Sequence, residues 1–197
     1  MVSPIPPTKP LTLEAYLEFE AASPLRHEFV AGEVYAMTGA SRRHNRIIRN
    51  ILIRIHAAAA GGPCQVYFEA VKLRVGEDIY YPDMIVTCSA TDTDDLIVHE
   101  PCLLIEVTSP DTARSDRTDK LLAYRGIPSL DAYLIVEQAW RRVERHYRDA
   151  NGTWQRENIQ EGSVVILCPQ KLLTLDEIYD GLAPLTVREM EAIGYSV

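Results

Sequence analysis

Long apolar runs are missing from this sequence. No window approaches the 18 or more apolar residues that a bilayer-spanning helix needs, and the opening MVSPIPPTKP has neither the apolar stretch nor the cleavage site of a secretory leader. We therefore expect a cytoplasmic protein that does not enter a membrane. The 197 residues, 47% hydrophobic and 24% charged, indicate one globular domain over residues 11–197 behind an extended, proline-rich tail at residues 1–10.

Familiar cysteine and catalytic signatures are also missing. The four cysteines (Cys64, Cys88, Cys102 and Cys168) are far apart, and no C-x-x-C pair indicates a zinc site. Reduced thiols are therefore expected, as is usual in a cytoplasm. There is no phosphate-binding G-x-x-x-x-G-K-[ST] loop, no G-x-G-x-x-G, no H-E-x-x-H and no G-x-S-x-G. Nucleotide-driven phosphate transfer, zinc proteolysis and α/β-hydrolase chemistry therefore have no support.

The charge distribution is uneven along the chain. Twenty Lys and Arg against 28 Asp and Glu give a net charge of −8, which as a whole disfavours a polyanionic partner. Residues 41–60 nevertheless contain no acid and concentrate positive charge in five arginines: Arg42, Arg43, Arg46, Arg49 and Arg54. A solvated helix face and a nucleic-acid-facing surface both fit this pattern.

The periodicity of apolar residues predicts a mixed α/β (α+β) fold with one central sheet. A short helix over residues 13–22 and a hairpin over 26–38 come first. The predicted core is a helix over 41–60, three strands over 67–75, 79–88 and 102–109, a helix over 115–125 and a strand over 132–136. A C-terminal antiparallel extension follows over 142–148, 153–158 and 163–168, and a helix over 175–181 ends the pattern.

Two acids stand where apolar residues are expected. Asp83 lies in IYYPDMIVTC and Glu106 in CLLIEVTS, both in predicted strands. A salt bridge would explain either acid alone. On neighbouring strands both side chains could face one side, where they would repel each other unless a cation lay between them. Oxygen ligands of this kind suit Mg²⁺ or Mn²⁺. Pro82 removes a ladder hydrogen bond beside Asp83, which favours an opening in the sheet there.

Lys120 is the candidate for a second positive charge at such a site. It lies on the predicted helix after the Glu106 strand, with Asp116 and Tyr124 one turn away on either side. A lysine there could stabilise the negative charge that develops during phosphodiester hydrolysis. A surface ion pair between Asp116 and Lys120, worth little energy, is the alternative on residue chemistry alone.

Three motifs together resemble the PD-(D/E)XK nuclease superfamily, and within it the Uma-two type of restriction-endonuclease-like proteins. They are Y-P-D at 81–83, I-E-V-T-S-P at 105–110 and D-R-x-x-K-L-x-x-Y at 116–124, joined by R-x-E-x-x-x-G-E at 26–33 and S-x-x-H at 41–44. The resemblance covers roughly residues 11–147. It implies a restriction-endonuclease-like core of helix, three strands, helix and strand.

The resemblance also implies a site and an activity. Asp83 and Glu106 would hold the metal. His44 would contact a phosphate or water, and a partly buried histidine satisfied by its neighbours is the alternative. The general pattern has lysine two residues after the acid, where this chain has Thr108, so Lys120 would be its equivalent. Phosphate contacts would come from Arg42, Arg43, Arg46 and Arg49.

These expectations define a Mg²⁺- or Mn²⁺-dependent DNA endonuclease, with a homodimer as one way to cut both strands. The alternative is an inactive nucleic-acid-binding or assembly module on the same fold. Whether Glu28 or Glu69 joins the site is left open.

Overall fold

The computed structural model describes residues 11–37, 39–109, 113–192 and 194–195. The predicted tail at residues 1–10 and Pro110 of the second motif lie outside these ranges. The helices are α1 Leu13–Ala22, α2 Arg42–Ala59, α3 Ala113–Arg117, α4 Asp119–Arg125, α5 Leu175–Ile178 and α6 Val187–Ala192. Among the described residues, none of the helices has the length and apolar character to cross a bilayer.

The strands form two sheets and a separate hairpin. They are β1 His27–Val30, β2 Glu33–Ala36, β3 Gln65–Phe68, β4 Lys72–Val75, β5 Asp78–Tyr80, β6 Met84–Thr87, β7 Ile97–Val98, β8 Leu103–Thr108, β9 Ala132–Glu137, β10 Val143–Arg148, β11 Trp154–Ile159, β12 Ser163–Leu167 and β13 Gln170–Thr174. The central sheet has the order β11-β10-β9-β8-β6-β3, and the front sheet the order β2-β1-β5-β4-β7. Strands β12 and β13 pair with each other.

The central sheet is covered on both faces. All six residues of β8 are buried, as its nearly continuous apolar sequence predicts. On one face Ile105 packs in a cluster with Ile51 of α2, and on the other Leu104 packs with Tyr124 of α4. The alternation of side chains along β8 therefore directs Glu106, two residues after Leu104, toward the α4 side.

Helix α2 closely follows its prediction. The side chain of Ser41 caps its first turn by accepting a hydrogen bond from the His44 backbone N–H at 3.1 Å. An isoleucine stripe (Ile47, Ile48, Ile51 and Ile55) is buried against the central sheet. The opposite face leaves Arg42, Arg46 and Arg49 exposed. His44 shares the side of α2 that carries the isoleucine stripe, opposite the three exposed arginines.

Two predicted strands are each broken, which corrects the expectation for residues 67–75 and 79–88. Glu69 and Ala70 adopt left-handed backbone conformations (φ 49° and 52°), a region that side-chain-bearing residues rarely occupy, so β3 and β4 are separate strands. Pro82 separates β5 from β6 in the same way. The result is one long hairpin with its base, β3 and β6, in the central sheet and its tip, β4 and β5, in the front sheet. Asp83 therefore lies immediately before β6 and not inside a strand.

The C-terminal part also differs in detail from the prediction. The helix predicted over 115–125 is two helices, α3 and α4, because Thr118 (φ −119°, ψ −83°) leaves the helical conformation between them. Strand β13 and helix α6 have no counterpart in the prediction. The terminal helix predicted over 175–181 is shortened to α5, although the capping box of Thr174 and Glu177 is present as expected.

The expectation of reduced cysteines is wrong for this structure. Cys64 is bonded to Cys88, and Cys102 to Cys168. The first pair follows from strand pairing, because Gln65 lies opposite Thr87 and the next residues outward are Cys64 and Cys88. The turn between β12 and β13 brings Cys168 to Cys102. Both contacts join residues that are distant in sequence, so spacing alone did not predict them.

Candidate active site

A cleft of about 570 Å³ opens where the front sheet, the central sheet and the first turn of α2 meet α4. It contains the four residues that the sequence singled out as catalytic, His44, Asp83, Glu106 and Lys120, and none of the arginines of α2. Its ionisable and polar lining includes Glu28, His44, Tyr81, Asp83, Glu106, Asp119, Lys120 and Gln138. The break between β5 and β6 forms one wall of this cleft.

Asp83 and Glu106 occupy neighbouring positions across two paired strands. Strands β6 and β8 are antiparallel with Met84 opposite Ile105, so the next positions outward are Asp83 and Glu106. The backbone N–H of Val107 donates a hydrogen bond to Asp83 Oδ2 at 2.7 Å, which fixes the Asp83 side chain against β8. Both acids line the cleft, as expected for adjoining chain segments.

His44 supports Asp83 from the other side. Its Nε2 lies 3.1 Å from Asp83 Oδ2. Burial lowers the pKa of His44, but the hydrogen bond and the negative charge of Asp83 outweigh burial, and the net pKa is above its usual value. Asp83 therefore makes the charged form of His44 more stable than it would be in water, and the Ser41 cap holds the His44 backbone in place.

Glu106 is a buried carboxylate whose partners come from α4. Lys120 Nζ donates to Glu106 Oε1 at 2.9 Å, and the Tyr124 hydroxyl lies 3.4 Å from the same oxygen. Burial raises the pKa of Glu106 well above its ordinary value, Lys120 opposes this effect, and the charges of Asp116, Asp83 and Glu28 add to it. A cation brought close to Glu106 would favour the ionised form.

Lys120 is buried among carboxylates, so the surface-pair alternative is wrong. Its Nζ lies 2.9 Å from Glu28 Oε1 and 3.7 Å from Asp116 Oδ1, in addition to its contact with Glu106. Burial lowers the pKa of Lys120, but these acids outweigh burial and raise the net pKa well above its usual value. Lys120 therefore stays charged and joins the front sheet to the central sheet.

Glu28 and Glu69, which the sequence left open, have different positions. Glu28, on β1, lines the cleft and accepts a hydrogen bond from the Tyr81 backbone N–H at 3.2 Å. Tyr81 is itself fixed because its hydroxyl donates to the buried Glu20 at 2.8 Å. Glu69 is exposed, accepts from Asn45 Nδ2 at 3.1 Å and is not among the residues that line the cleft. Glu28 thus belongs to the cleft, and Glu69 does not line it.

The arginines of α2 fall into two groups. Arg43 donates to the backbone oxygens of Gln138 and Ala183 at 2.7 and 2.8 Å, so its guanidinium holds α2 to neighbouring loops. Arg42, Arg46 and Arg49 are exposed on one face of the helix, although Arg46 also donates to the Gly181 carbonyl at 2.9 Å. Arg49 donates to Asn50 Oδ1 at 3.0 Å, and none of these three arginines lines the cleft, so they form an exposed positive face of α2 outside it.

Gln138 is a cleft residue that sequence reasoning missed. It directly follows β9, its side-chain oxygen accepts from the Ser41 hydroxyl, and its carbonyl accepts from Arg43. A single glutamine after an apolar strand has no periodic or motif signal, so only the folded structure identifies it.

The donors in the cleft fit a hard divalent ion. Mg²⁺ usually takes one or two protein carboxylates and keeps several waters, and Asp83 and Glu106 supply such a pair. Lys120 and Tyr124 both contact Oε1 of Glu106, so they crowd one of its two oxygens. Among the described residues, the one group of three possible ligands whose donor atoms all lie within 4.8 Å of one another is Cys64, Cys88 and Cys168. The acids of the cleft therefore do not form a three-ligand site of that compactness. The site therefore suits a largely hydrated ion.

Comparison with known proteins agrees with this architecture. The profile of a family called Uma2, described as "Putative restriction endonuclease", matches residues 13–176. The chain belongs to the Uma2 family. Two similar proteins come from Synechocystis sp., both described as uncharacterized: slr1290 is 31% identical over 185 residues (92% of this chain and 97% of the relative), and sll1609 is 31% identical over 152 residues (75% and 86%).

A solved structure shares the fold. It is described as "a putative nuclease belonging to DUF820" from Anabaena variabilis, with a TM-score of 0.70 and 15% identity over 86% of this chain and 97% of that one. This likeness and Uma2 membership confirm the predicted restriction-endonuclease-like fold. The family indicates a nuclease-like function with a nucleic-acid substrate.

Proposed function

We propose that this Uma2 protein is a Mg²⁺-dependent DNA endonuclease, with Mn²⁺ as a substitute ion. The observation that carries the proposal is the meeting of Asp83 and Glu106 in one cleft, beside a buried and charged Lys120. Asp83 and Glu106 hold the ion. When bound, such an ion activates a coordinated water and neutralises charge on a phosphoryl oxygen.

The chain's own residues position this site. His44 and the Val107 N–H fix the orientation of Asp83 through hydrogen bonds to one oxygen. Lys120 orients Glu106 and supplies fixed positive charge near the place where the phosphate becomes more negative. Thr108, at the position where the superfamily pattern has lysine, is buried and donates to Glu137 at 3.0 Å, so it does not reach the cleft. Lys120 is therefore the lysine in this role.

Cleavage of supercoiled plasmid tests the proposal. The wild-type protein should nick the plasmid with Mg²⁺ or Mn²⁺ and not with EDTA, and Asp83→Ala should lose this activity because the ion loses a ligand. Asp119→Ala is the matched control, since Asp119 is an exposed acid at the same cleft. Equal nicking by wild type and Asp83→Ala, or none by either, would contradict the proposed activity.

The exposed face of α2 is proposed to contact the DNA backbone. Changing Arg42, Arg46 and Arg49 together to glutamine should weaken duplex binding and flatten its salt dependence. The slope of log K against log salt should fall by about 0.9 for each phosphate that is no longer neutralised, up to about 2.7 for three. Fluorescence anisotropy in EDTA at several salt concentrations measures this slope.

Arg54→Gln is the control for the triple variant. Arg54 lies on the same helix but is paired with Glu177 at 3.3 Å, so this change should leave the slope as it is in the wild type. Equal slopes for the triple variant and wild type would remove α2 from the DNA interface.

A catalytically inactive binding or assembly module is the second candidate. One observation favours it: the Lys120 ammonium already contacts three carboxylates, which compete with a phosphate for its charge. Under this alternative Mg²⁺ would still raise the melting temperature and the protein would still shift DNA in a gel, but the plasmid would stay intact.

A further inference from the structure

All four cysteines converge at one point, away from the cleft. In addition to its bond with Cys64, Cys88 Sγ lies 2.8 Å from Cys168 Sγ and 3.6 Å from Cys102 Sγ. The sulfurs of Cys64, Cys88 and Cys168 all lie within 4.8 Å of one another. The two disulfides therefore lie side by side, with Cys88 Sγ close to both sulfurs of the second bridge, although Cys102 is not among the sulfurs that all lie within 4.8 Å of one another.

Four different parts of the fold build this cluster. Cys64 precedes β3, Cys88 follows β6, Cys102 precedes β8 and Cys168 follows β12. The backbone holds them independently of sulfur bonding: β3 pairs with β6, and the Cys102 N–H donates to the Val86 carbonyl at 2.7 Å. Two disulfides would need only two separate pairs. A ligand shared by the four cysteines would explain why Cys88 also lies close to both sulfurs of the other pair.

We propose that, in the reduced chain, the four cysteines bind one Zn²⁺ ion as a tetrathiolate site. Zinc prefers four ligands in a tetrahedron, with sulfur about 2.3 Å from the ion, which places neighbouring sulfurs about 3.8 Å apart. The 3.6 Å between Cys88 and Cys102 is close to this edge. Once the sulfurs are no longer bonded, side-chain rotations would open the shorter contacts and bring Cys102 closer to Cys64, which lies outside its reach in the disulfide form. Thiolates select zinc over the hard ions that suit the cleft.

The surroundings suit a structural metal site. Cys102 is buried, and the other three cysteines are partly buried at the edge of the core cluster that contains Ile51 and Ile105. The ion would thus join the central sheet to the β12–β13 hairpin. It would be a closed site with four protein ligands, without the open position that zinc catalysis needs. Zinc at this cluster does not depend on the proposed endonuclease activity.

Zinc binding follows reduction of the two disulfides. A dithiol reduces each disulfide by thiol–disulfide exchange, in which its own two thiol protons pass to the two cysteines and it becomes a disulfide. A phosphine instead takes up the oxygen of one water and becomes a phosphine oxide, and the two protons of that water complete the two thiols. Zinc then displaces the thiol protons as the four sulfurs coordinate it, releasing up to four protons. Disulfide and zinc are therefore mutually exclusive states of the same cluster.

Cobalt and zinc binding to the full chain test the proposal. Protein reduced with a phosphine and desalted without oxygen should take up one Co²⁺ at the cysteines, apart from any Co²⁺ in the cleft, with the thiolate charge-transfer and strong visible bands of tetrahedral sulfur coordination. Zinc should displace the cobalt at one ion per chain, raise the melting temperature of the reduced protein and protect four thiols from alkylation. Cys88→Ser should lose the spectrum, whereas Asp83→Ala, at the cleft, should keep it.

The contrary results are equally specific. A reduced wild-type chain that takes up no Co²⁺, or shows only the weak spectrum of oxygen ligands, would overturn the proposal. So would zinc-treated wild type in which all four thiols are alkylated as fast as in metal-free protein. Both measurements use the wild type, so they remain decisive even if Cys88→Ser fails to fold.

Discussion

Replacing Lys120 with methionine is expected to lower the free energy of unfolding by about 3–5 kcal/mol, the usual cost of removing one partner of a buried ion pair. Methionine keeps the length of the side chain but leaves Glu28, Glu106 and Asp116 without the ammonium that they surround. Urea denaturation at pH 7, with matched slopes for the two proteins, measures the difference.

Lys171→Met is the matched control for this change. Lys171 contacts Glu177 at 3.2 Å on the surface, so its loss should cost less than about 1 kcal/mol. The loss in free energy of unfolding caused by Lys120→Met should become smaller as the pH falls, because protonation removes the charge of the carboxylates that have lost their partner. A deficit as small as that of Lys171→Met would show that Lys120 does not compensate the buried acids.

Replacing Glu106 with glutamine is expected to reduce plasmid cleavage at least about 100-fold, since even residues that only orient metal ligands cost 10–100-fold when they are changed. Glutamine keeps the shape of the side chain and its contact with Lys120 but removes the charge that holds the ion. The initial nicking rate at saturating Mg²⁺ measures the loss.

Glu28→Gln separates metal binding from ion pairing. Glu28 and Glu106 both lie 2.9 Å from Lys120 Nζ, so the two substitutions remove the same type of contact with lysine. If Glu106 is a direct ligand and Glu28 is not, Glu28→Gln should cost about tenfold or less. Equal losses in the two variants would assign the effect to Lys120 and not to the ion.

The catalytic candidates could be predicted from the sequence because a charged residue within an apolar segment is unusual. A single acid inside the apolar run of β8 indicated Glu106, and Lys120 was identified by its place on the following helix and by the D-R-x-x-K motif of the family resemblance. The proline at position 82 indicated the opening beside Asp83, but the break at Glu69–Ala70 had no such signal. The strand-like alternation of side chains continues across residues 67–75 of the sequence. The left-handed backbone of Glu69 and Ala70, at which the chain passes from one sheet to the other, is visible in the structure alone.

Contacts between distant segments could not be predicted in this way. Glu28 reaches Lys120 because β1 pairs with β5 in the front sheet, and no local pattern encodes that pairing. The cysteines were interpreted by their spacing, which predicts metal sites only when ligands come in adjacent pairs. Their convergence depends on the pairing of β3 with β6 and on the position of the β12–β13 turn, both of which are long-range features.

The Lys120 ammonium fastens Glu28 of the front sheet to Glu106 of the central sheet. The distance between the two sheets at the cleft consequently depends on how strongly Lys120 binds these two carboxylates. A ligand that binds Glu106 would change the position of Lys120 and weaken its ion pair with Glu28. Ligand binding in the cleft would therefore affect strands β1 and β2 directly through Lys120.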